Sequence, residues 1–385
     1  MNTQLEAYRT LAAASLEDAH SLSFSAYSDA AIWQLEAQKI FHREWVFVCS
    51  KQQLPKAGDF FALRLAGEAL VIIHGHDGQL RALSNICRHR GTPLLPEGFG
   101  NIDKYVVCPY HGWAYEQSGE LKAVPMAGAV QVDKKKHCLP EFLLESWHGL
   151  LFVNLSSDAS PLMARLEGID EYIAGFEIDR FVKGQQGNKE TWASNWKLAM
   201  ENAMESYHLF KVHEQTLETT TPTRDAYYIA GNAEWTLTGG KMKSDQNKLL
   251  KWLSGDYPEM YNHYALISLP PSFVGILTYE SFDWIQVLPL NERESVIYSG
   301  GIAESLKNYD NRYVTEFTQA FFAEDKEICE RVQTGMESRF SSGGKLVEME
   351  RIVVDFHQFL ASRLFSFQPD DFYQTEQADL FLIDH

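Results

Sequence analysis

The hydrophobic rhythm of the chain changes twice. Residues 29–45, DAAIWQLEAQKIFHREW, place Ile32, Leu35, Ile40 and Phe41 among polar positions at the spacing of an amphipathic helix, and the first forty residues read as helical. From Val46 to Leu155 the apolar runs become short and β-like (VFVCS, FFALRLA, ALVIIHG, LRALSNIC, YVVCPY, LLFVNL), separated by the turn chemistry of HGHDG, EGFGN and EQSGE. This predicts a small antiparallel β domain. Beyond Asp158 the pattern is mixed: a strand at Gly187–Trp192, a helix from about Asn195 to Phe210, several strands between Tyr227 and Tyr298, and helices beyond Asn311. No internal repeat or low-complexity tract interrupts it. The expected class is α+β, divided as residues 1–45, 46–157 and 158–385.

Two pairs of soft and borderline metal ligands stand out in the β region. Cys87-Arg88-His89 is followed, after eighteen intervening residues, by Cys108-Pro109-Tyr110-His111, and each pair falls where a strand gives way to a turn. Thiolates suit iron bridged by sulfide, and neutral imidazoles on the second iron reduce the negative charge of the cluster and raise its potential. Cys87 and Cys108 would hold one iron, His89 and His111 the other. Zinc also accepts two Cys and two His, so the four residue types alone leave both metals open. Cys49, Cys138 and Cys329 have no partner His at such spacing and are expected to be buried thiols.

A second set lies in NWKLAMENAMESYHLFKVH, residues 195–213, which holds His208 and His213 with acids at Glu201 and Glu205. On an ideal helix, with about 100° per residue, Glu205 and His208 share a face while His208 and His213 diverge by about 140°. One metal can take both only if the helix loosens or ends between them. Two His and one carboxylate form the facial triad of non-haem Fe(II), which leaves positions open for O2. The carboxylate must come from elsewhere, and FFAEDKEICERVQ offers Glu324, Asp325 and Glu327, which spacing does not separate.

Composition removes several function classes. The 385 residues are 45% hydrophobic and 22% charged, ordinary for a globular protein of two or three domains. A net charge of −18 argues against a phosphate-backbone partner, hence no nucleic acid. No run reaches the roughly 18 to 20 apolar residues of a membrane span, and MNTQLEAYRT lacks a signal-peptide layout, so no membrane partner and a cytoplasmic location are expected. The odd count of five cysteines speaks against a disulfide framework.

The residues around the ligand pairs, CRHRGTPL and CPYHGWAY, together with ED-x-x-IC-x-x-VQ, resemble the α subunits of Rieske non-haem iron oxygenases (the ring-hydroxylating family), from FHREWVFVCS to the final helix. The resemblance implies a Rieske β domain followed by a helix-grip (START-like) catalytic domain with an antiparallel sheet. It implies a Rieske [2Fe–2S] cluster in place of zinc, a mononuclear Fe(II) with Asp325 as its third ligand, O2 as co-substrate, and NAD(P)H electrons delivered by a flavin and iron–sulfur reductase. It also implies a homotrimer in which Glu205 links an iron-ligating His to His111 of a neighbouring subunit. Most relatives carry Asp there, so this chain is longer by one methylene.

Glu at this position, LPPSFVGILTYESFDWIQVLPL and FHQFLASRL resemble the branch acting on quaternary ammonium compounds, the carnitine, choline and betaine-type monooxygenases. The small-molecule substrate expected is therefore a quaternary ammonium ion, hydroxylated beside nitrogen and released by C–N cleavage. Such an ion donates no hydrogen bond, so aromatic faces suit it. Tyr207, Phe210, Phe273, Tyr279, Phe282 and Trp284 lie in segments that could line its pocket, although most aromatics of a chain this rich in them belong to cores. The rivals are an aromatic-ring dioxygenase or O-demethylase and, from another class, a Rieske electron carrier or ligand-binding protein without catalytic iron.

Overall fold

The computed structural model describes residues 2–243, 259–306, 312–368 and 371–372. They fall into two compact units, 41–162 and 1–40 with 163–385. The N-terminal helical segment groups with the larger unit.

The smaller unit is antiparallel β. Seven strands pair in the order Val46–Ser50, Leu150–Asn154, Glu141–Trp147, Leu80–Ser84, Glu68–His74, Asp59–Leu65 and Gly98–Asn101, and Val106–Val107, Ala114–Tyr115 and Leu121–Ala123 form a three-stranded sheet. Segment EGFGN, expected as a turn, contributes the edge strand: Phe60 and Phe61 pair with Gly100 and Phe99, and Phe99 stacks on Phe61 at 4.3 Å. Cross-strand aromatic packing there outweighs the low strand preference of glycine. Phe60, Val71, Ile73, Leu83, Leu94, Trp113 and Tyr115 form a core that also encloses Cys87 and Cys108.

The larger unit is a seven-stranded antiparallel sheet in the order Lys183–Trp192, Glu294–Ala303, Ser281–Asn291, Phe273–Leu277, His263–Leu269, Thr236–Lys241 and Ala226–Gly231. Its main helices are α1 (Asn2–Ala12), α2 (Ala30–Glu36), α3 (Trp196–Met204), α4 (Leu209–Val212), α5 (Arg312–Gly335) and α6 (Arg351–Phe365). Helix α3 packs on the central strands, α6 on the last two of that order, α5 against α3, and α1 against α6. The helical run expected over 29–45 begins with Asp29 capping Ala31 N–H and ends in a π turn at Phe41. No helix among the described residues is long and apolar enough to cross a membrane.

Candidate metal centres

The paired loops of the β unit repeat one backbone design. Cys87 N–H donates to the Thr92 carbonyl and Gly91 N–H donates back to the Cys87 carbonyl at 3.0 Å; Cys108 N–H donates to the Trp113 carbonyl and Gly112 N–H to the Cys108 carbonyl at 3.0 Å. Each turn closes on a glycine with positive φ, +77° at Gly91 and +70° at Gly112, which side-chain-bearing residues rarely adopt. The glycines of HRG and HGW are therefore backbone requirements of the turns.

The two loops present their side chains asymmetrically. Both thiols are buried, whereas His89 and His111 face solvent with ring centroids 4.7 Å apart. His89 lies flat against the Trp113 indole at 4.8 Å, which fixes its plane. Burial pushes the Cys108 thiol up, but the backbone N–H groups of Tyr110 and His111 and the side chains of Cys87 and Thr92 outweigh it and leave its pKa lowered. Tyr115 OH lies 3.4 Å from Cys87 Sγ. Two buried thiols with hydrogen-bond donors around them and two converging, exposed imidazoles suit a [2Fe–2S] cluster with unlike iron atoms better than a tetrahedral zinc ion, which would draw all four inward equally.

In the larger unit the expected helix to Phe210 breaks at Glu205. That residue is extended at φ −111°, ψ 161°, and its carboxylate accepts the N–H groups of Tyr207 and His208. Local carboxylate-to-backbone bonding of this kind ends a helix and begins the next. His208 and His213 then sit at the two ends of the one-turn helix α4, as N-cap and C-cap. Freed from a continuous helix, both rings turn to Asp325 on α5: His213 Nε2 is 3.0 Å and His208 Nε2 3.5 Å from Asp325 Oδ1. The ligand atoms of all three lie within 4.8 Å of one another, the span of a single metal ion's shell.

The opposite ring nitrogens are held by carboxylates. His208 Nδ1 is 2.5 Å from Glu205 Oε1, and His213 Nδ1 is 2.7 Å from Glu324 Oε2, which also accepts from Thr216 Oγ1. Of the three neighbouring acids that spacing left open, Asp325 meets the Nε2 atoms and Glu324 orients His213 from outside. Carboxylate–histidine contacts of this sort fix the tautomer and raise ligand basicity. Burial lowers the pKa of His208, but Asp325 and Glu205 overcome it and lift it to about 10. For Asp325, burial acts upward and the two imidazoles more than reverse it, so the carboxylate is held below its ordinary range.

A buried polar chain supports this site. Glu36 and Lys197 are both fully buried, with Lys197 Nζ 2.7 and 2.9 Å from the two carboxylate oxygens. Glu36 also accepts from Tyr8 OH and Trp196 Nε1, so α1, α2 and α3 share one carboxylate. Glu201 accepts from Tyr27 OH at 2.9 Å and pairs with His357 Nε2 at 3.0 Å. Glu201, His357, Glu205 and His208 line one cavity of about 260 Å³. Glu36 and Tyr27 carry no motif that sequence reading could use, and Lys197 and His357, although inside NWKLAMENAMESYHLFKVH and FHQFLASRL, take their meaning from the distant residue each meets.

The six aromatic candidates do not converge. Phe273 and Phe282 are fully buried and packed edge to face at 5.9 Å, and Trp284 is buried beside them on the sheet. Tyr207 and Phe210 are exposed, and the ring of Tyr279 already carries the Arg180 guanidinium at 4.1 Å. None is among the described residues lining the larger cavity next to Ser206, treated below. Cys49 and Cys329 are buried as expected, whereas Cys138 is only half-buried.

A Cys/His-bearing β unit joined in one chain to a helix-and-sheet unit with a two-His, one-carboxylate cluster is the layout of an iron-dependent oxygenase component. Comparison with known proteins makes this specific. Residues 44–138 match the Rieske [2Fe-2S] domain and residues 173–366 the ring hydroxylating alpha subunit (catalytic domain). The chain belongs to the ring-hydroxylating α-subunit family of Rieske oxygenases. It is 25% identical to a glycine betaine monooxygenase oxygenase subunit of Chromohalobacter salexigens, covering 90% of this chain and 86% of that one. It is 26% identical to a carnitine monooxygenase oxygenase subunit of Escherichia coli K12, covering 90% and 94%. Its fold matches a quaternary ammonium Rieske monooxygenase in complex with L-carnitine (TM-score 0.76, 21% identity, 90% of this chain and 96% of that one). It equally matches naphthalene 1,2-dioxygenase from Rhodococcus sp. bound to indole (TM-score 0.76, 18% identity, 96% and 98%). The protein is therefore an oxidoreductase that uses a Rieske cluster, a mononuclear iron and O2, and takes NAD(P)H-derived electrons from a reductase.

Proposed function

We propose that the chain is the terminal oxygenase of a system that hydroxylates a quaternary ammonium compound at a carbon bearing nitrogen, the product then separating by C–N cleavage. The observation that carries the chemistry is the convergence of His208, His213 and Asp325 with both outer ring nitrogens held by carboxylates. The substrate class follows the full-length relatives, named for glycine betaine and carnitine. Cys87, Cys108, His89 and His111 would hold the cluster, and His208, His213 and Asp325 the iron. When bound, these groups supply single electrons and O2 activation, so that O2, two electrons and two protons convert a C–H bond to C–OH and water.

The chain's own residues do the rest. Glu205 and Glu324 hold the imidazoles by Nδ1 so that each Nε2 is turned toward Asp325. In the proposed homotrimer the Glu205 carboxylate, folded back on its own His208, also accepts a hydrogen bond from His111 of a neighbouring subunit. A cytoplasmic location goes with the need for NAD(P)H and a reductase.

The test is a screen of carnitine, choline and glycine betaine with a generic reductase, scoring O2 consumed against product formed, beside an iron count. About three irons per chain and tight coupling for one quaternary ammonium compound are expected. Two irons per chain and no coupled turnover would identify an electron carrier, and coupling only with aromatic compounds would move the protein to the ring dioxygenases.

A further inference from the structure

The larger unit contains a cavity of about 370 Å³ lined by Ser206, Tyr227, Tyr228, Thr238, Glu348 and Arg351. That is at the small end of the range for small-molecule sites. Ser206 lies two positions before His208, on the break that follows α3. Tyr228 and Thr238 are directly paired across adjacent strands, and Arg351 opens α6. The cavity thus joins the iron-site break, the sheet edge and the start of α6.

Its polar groups are unusual. Arg351 makes no ion pair or hydrogen bond with the described residues; its guanidinium is held instead by stacking 4.0 Å over the Tyr228 ring. That ring is fixed in turn, because Tyr228 OH donates to Asp355 Oδ2 at 2.8 Å and Asp355 also accepts from Thr236 Oγ1 at 2.9 Å. Arg351 Nε and Thr238 Oγ1 are both buried without a hydrogen-bond partner within the chain. Buried donors are nearly always satisfied, so two orphans on side chains lining one small cavity point to a ligand with acceptor oxygens. The opposite requirement is present too, in the Glu348 carboxylate and the Tyr227 ring of the same lining.

We propose that this cavity binds a zwitterionic quaternary ammonium carboxylate, with Arg351 and Thr238 taking the carboxylate and Tyr227 with Glu348 facing the ammonium group. A guanidinium fork matches a carboxylate in two-pronged geometry, and aromatic faces suit a methylated ammonium that donates no hydrogen bond. The two rival ligand types fit less well. A plain cation such as choline meets the unpaired charge of Arg351, and a neutral aromatic leaves both orphans unmet. The assignment rests on the quaternary-ammonium reading above and narrows it to carboxylated substrates.

Equilibrium binding to the iron-loaded holoenzyme by calorimetry tests it with three probes: glycine betaine, L-carnitine and choline. Wild type should bind one of the two carboxylates at least about 10-fold more tightly than choline. Arg351→Gln should weaken that carboxylate by about 10- to 100-fold while leaving choline within about twofold, and Arg351→Lys should fall between. Circular dichroism and iron content confirm that the variants are folded and loaded. The proposal is overturned if Arg351→Gln leaves carboxylate binding unchanged or weakens choline equally. It is also overturned if wild type prefers choline, an outcome that keeps the quaternary-ammonium reading. If none of the three binds, that broader reading falls with it.

Discussion

The two donor sets of this chain are built in opposite ways. The Cys/His set comes from two short turns of nearly identical backbone design, each closed by its own glycine and supplying two ligands from within four residues. The His/His/Asp set draws on α4 and on a helix more than a hundred residues further along, and its rings are held by Glu205 and Glu324, beside a buried network that begins in α1. A site written into local turns is robust to events elsewhere in its unit. A site assembled from distant elements inherits the stability of everything that positions it.

The largest expected contrast comes from Asp325→Ala. Coupled turnover should fall by ~10³-fold or more with loss of the mononuclear iron, while the visible absorption of the [2Fe–2S] cluster stays at the wild-type level. An unchanged iron content in this variant would show that another carboxylate is the ligand.

Next in size is Lys197→Met, which strands the buried Glu36 charge. Burial already lowers the Lys197 pKa against the opposing pull of Glu36, so the ion pair holds together only as a pair. The single change should cost about 3–5 kcal/mol in denaturant unfolding of the larger unit, and the double change Glu36→Gln with Lys197→Met should recover most of it. Cluster absorption should again be unaffected. If the double variant is no better than the single one, the loss comes from packing and not from the isolated carboxylate.

The smallest effect belongs to the local site. Tyr115→Phe removes the hydroxyl 3.4 Å from Cys87 Sγ, and a lost donor disfavours the more negative reduced cluster. Voltammetry should show a reduction potential lower by roughly 40 mV, the equivalent of one net hydrogen bond of about 1 kcal/mol. A rise in potential would reverse the role assigned to this hydroxyl.

The same contrast explains what could be read from sequence. CRHRGTPL and CPYHGWAY carry ligands, turn glycines and the supporting Trp113 and Tyr115 in two short contiguous stretches, so the local pattern contains most of the site. The longer apolar strands were equally readable, but Glu141–Trp147 and the short strands Ala114–Tyr115 and Leu121–Ala123 were not among the expected runs, and EGFGN formed an edge through Phe99 packing on Phe61. For the second set, the five-residue gap between His208 and His213 already demanded a break in the helix, but not its cause, the turn of the Glu205 carboxylate onto the backbone. Glu324 and Asp325 are adjacent in sequence and point to opposite nitrogens of His213, a distinction made by the third dimension alone. Tyr27 and Glu36 gave no signal, since a Tyr and an acid scattered over the chain have no period or spacing, and FHQFLASRL did not show that its His357 meets Glu201.

The larger unit is discontinuous, its first forty residues separated from the remainder by all of 41–162. During synthesis the cluster-bearing unit therefore emerges complete while Tyr8 and Glu36 are still waiting for Trp196 and Lys197. At about 5–20 residues per second that interval is on the order of ten seconds, with an unpaired acid and a helical face exposed throughout. Maturation accordingly has a set order: the electron-accepting module can fold and take up its cluster first, and the oxygen-activating one cannot close until the ribosome has delivered the chain as far as α6.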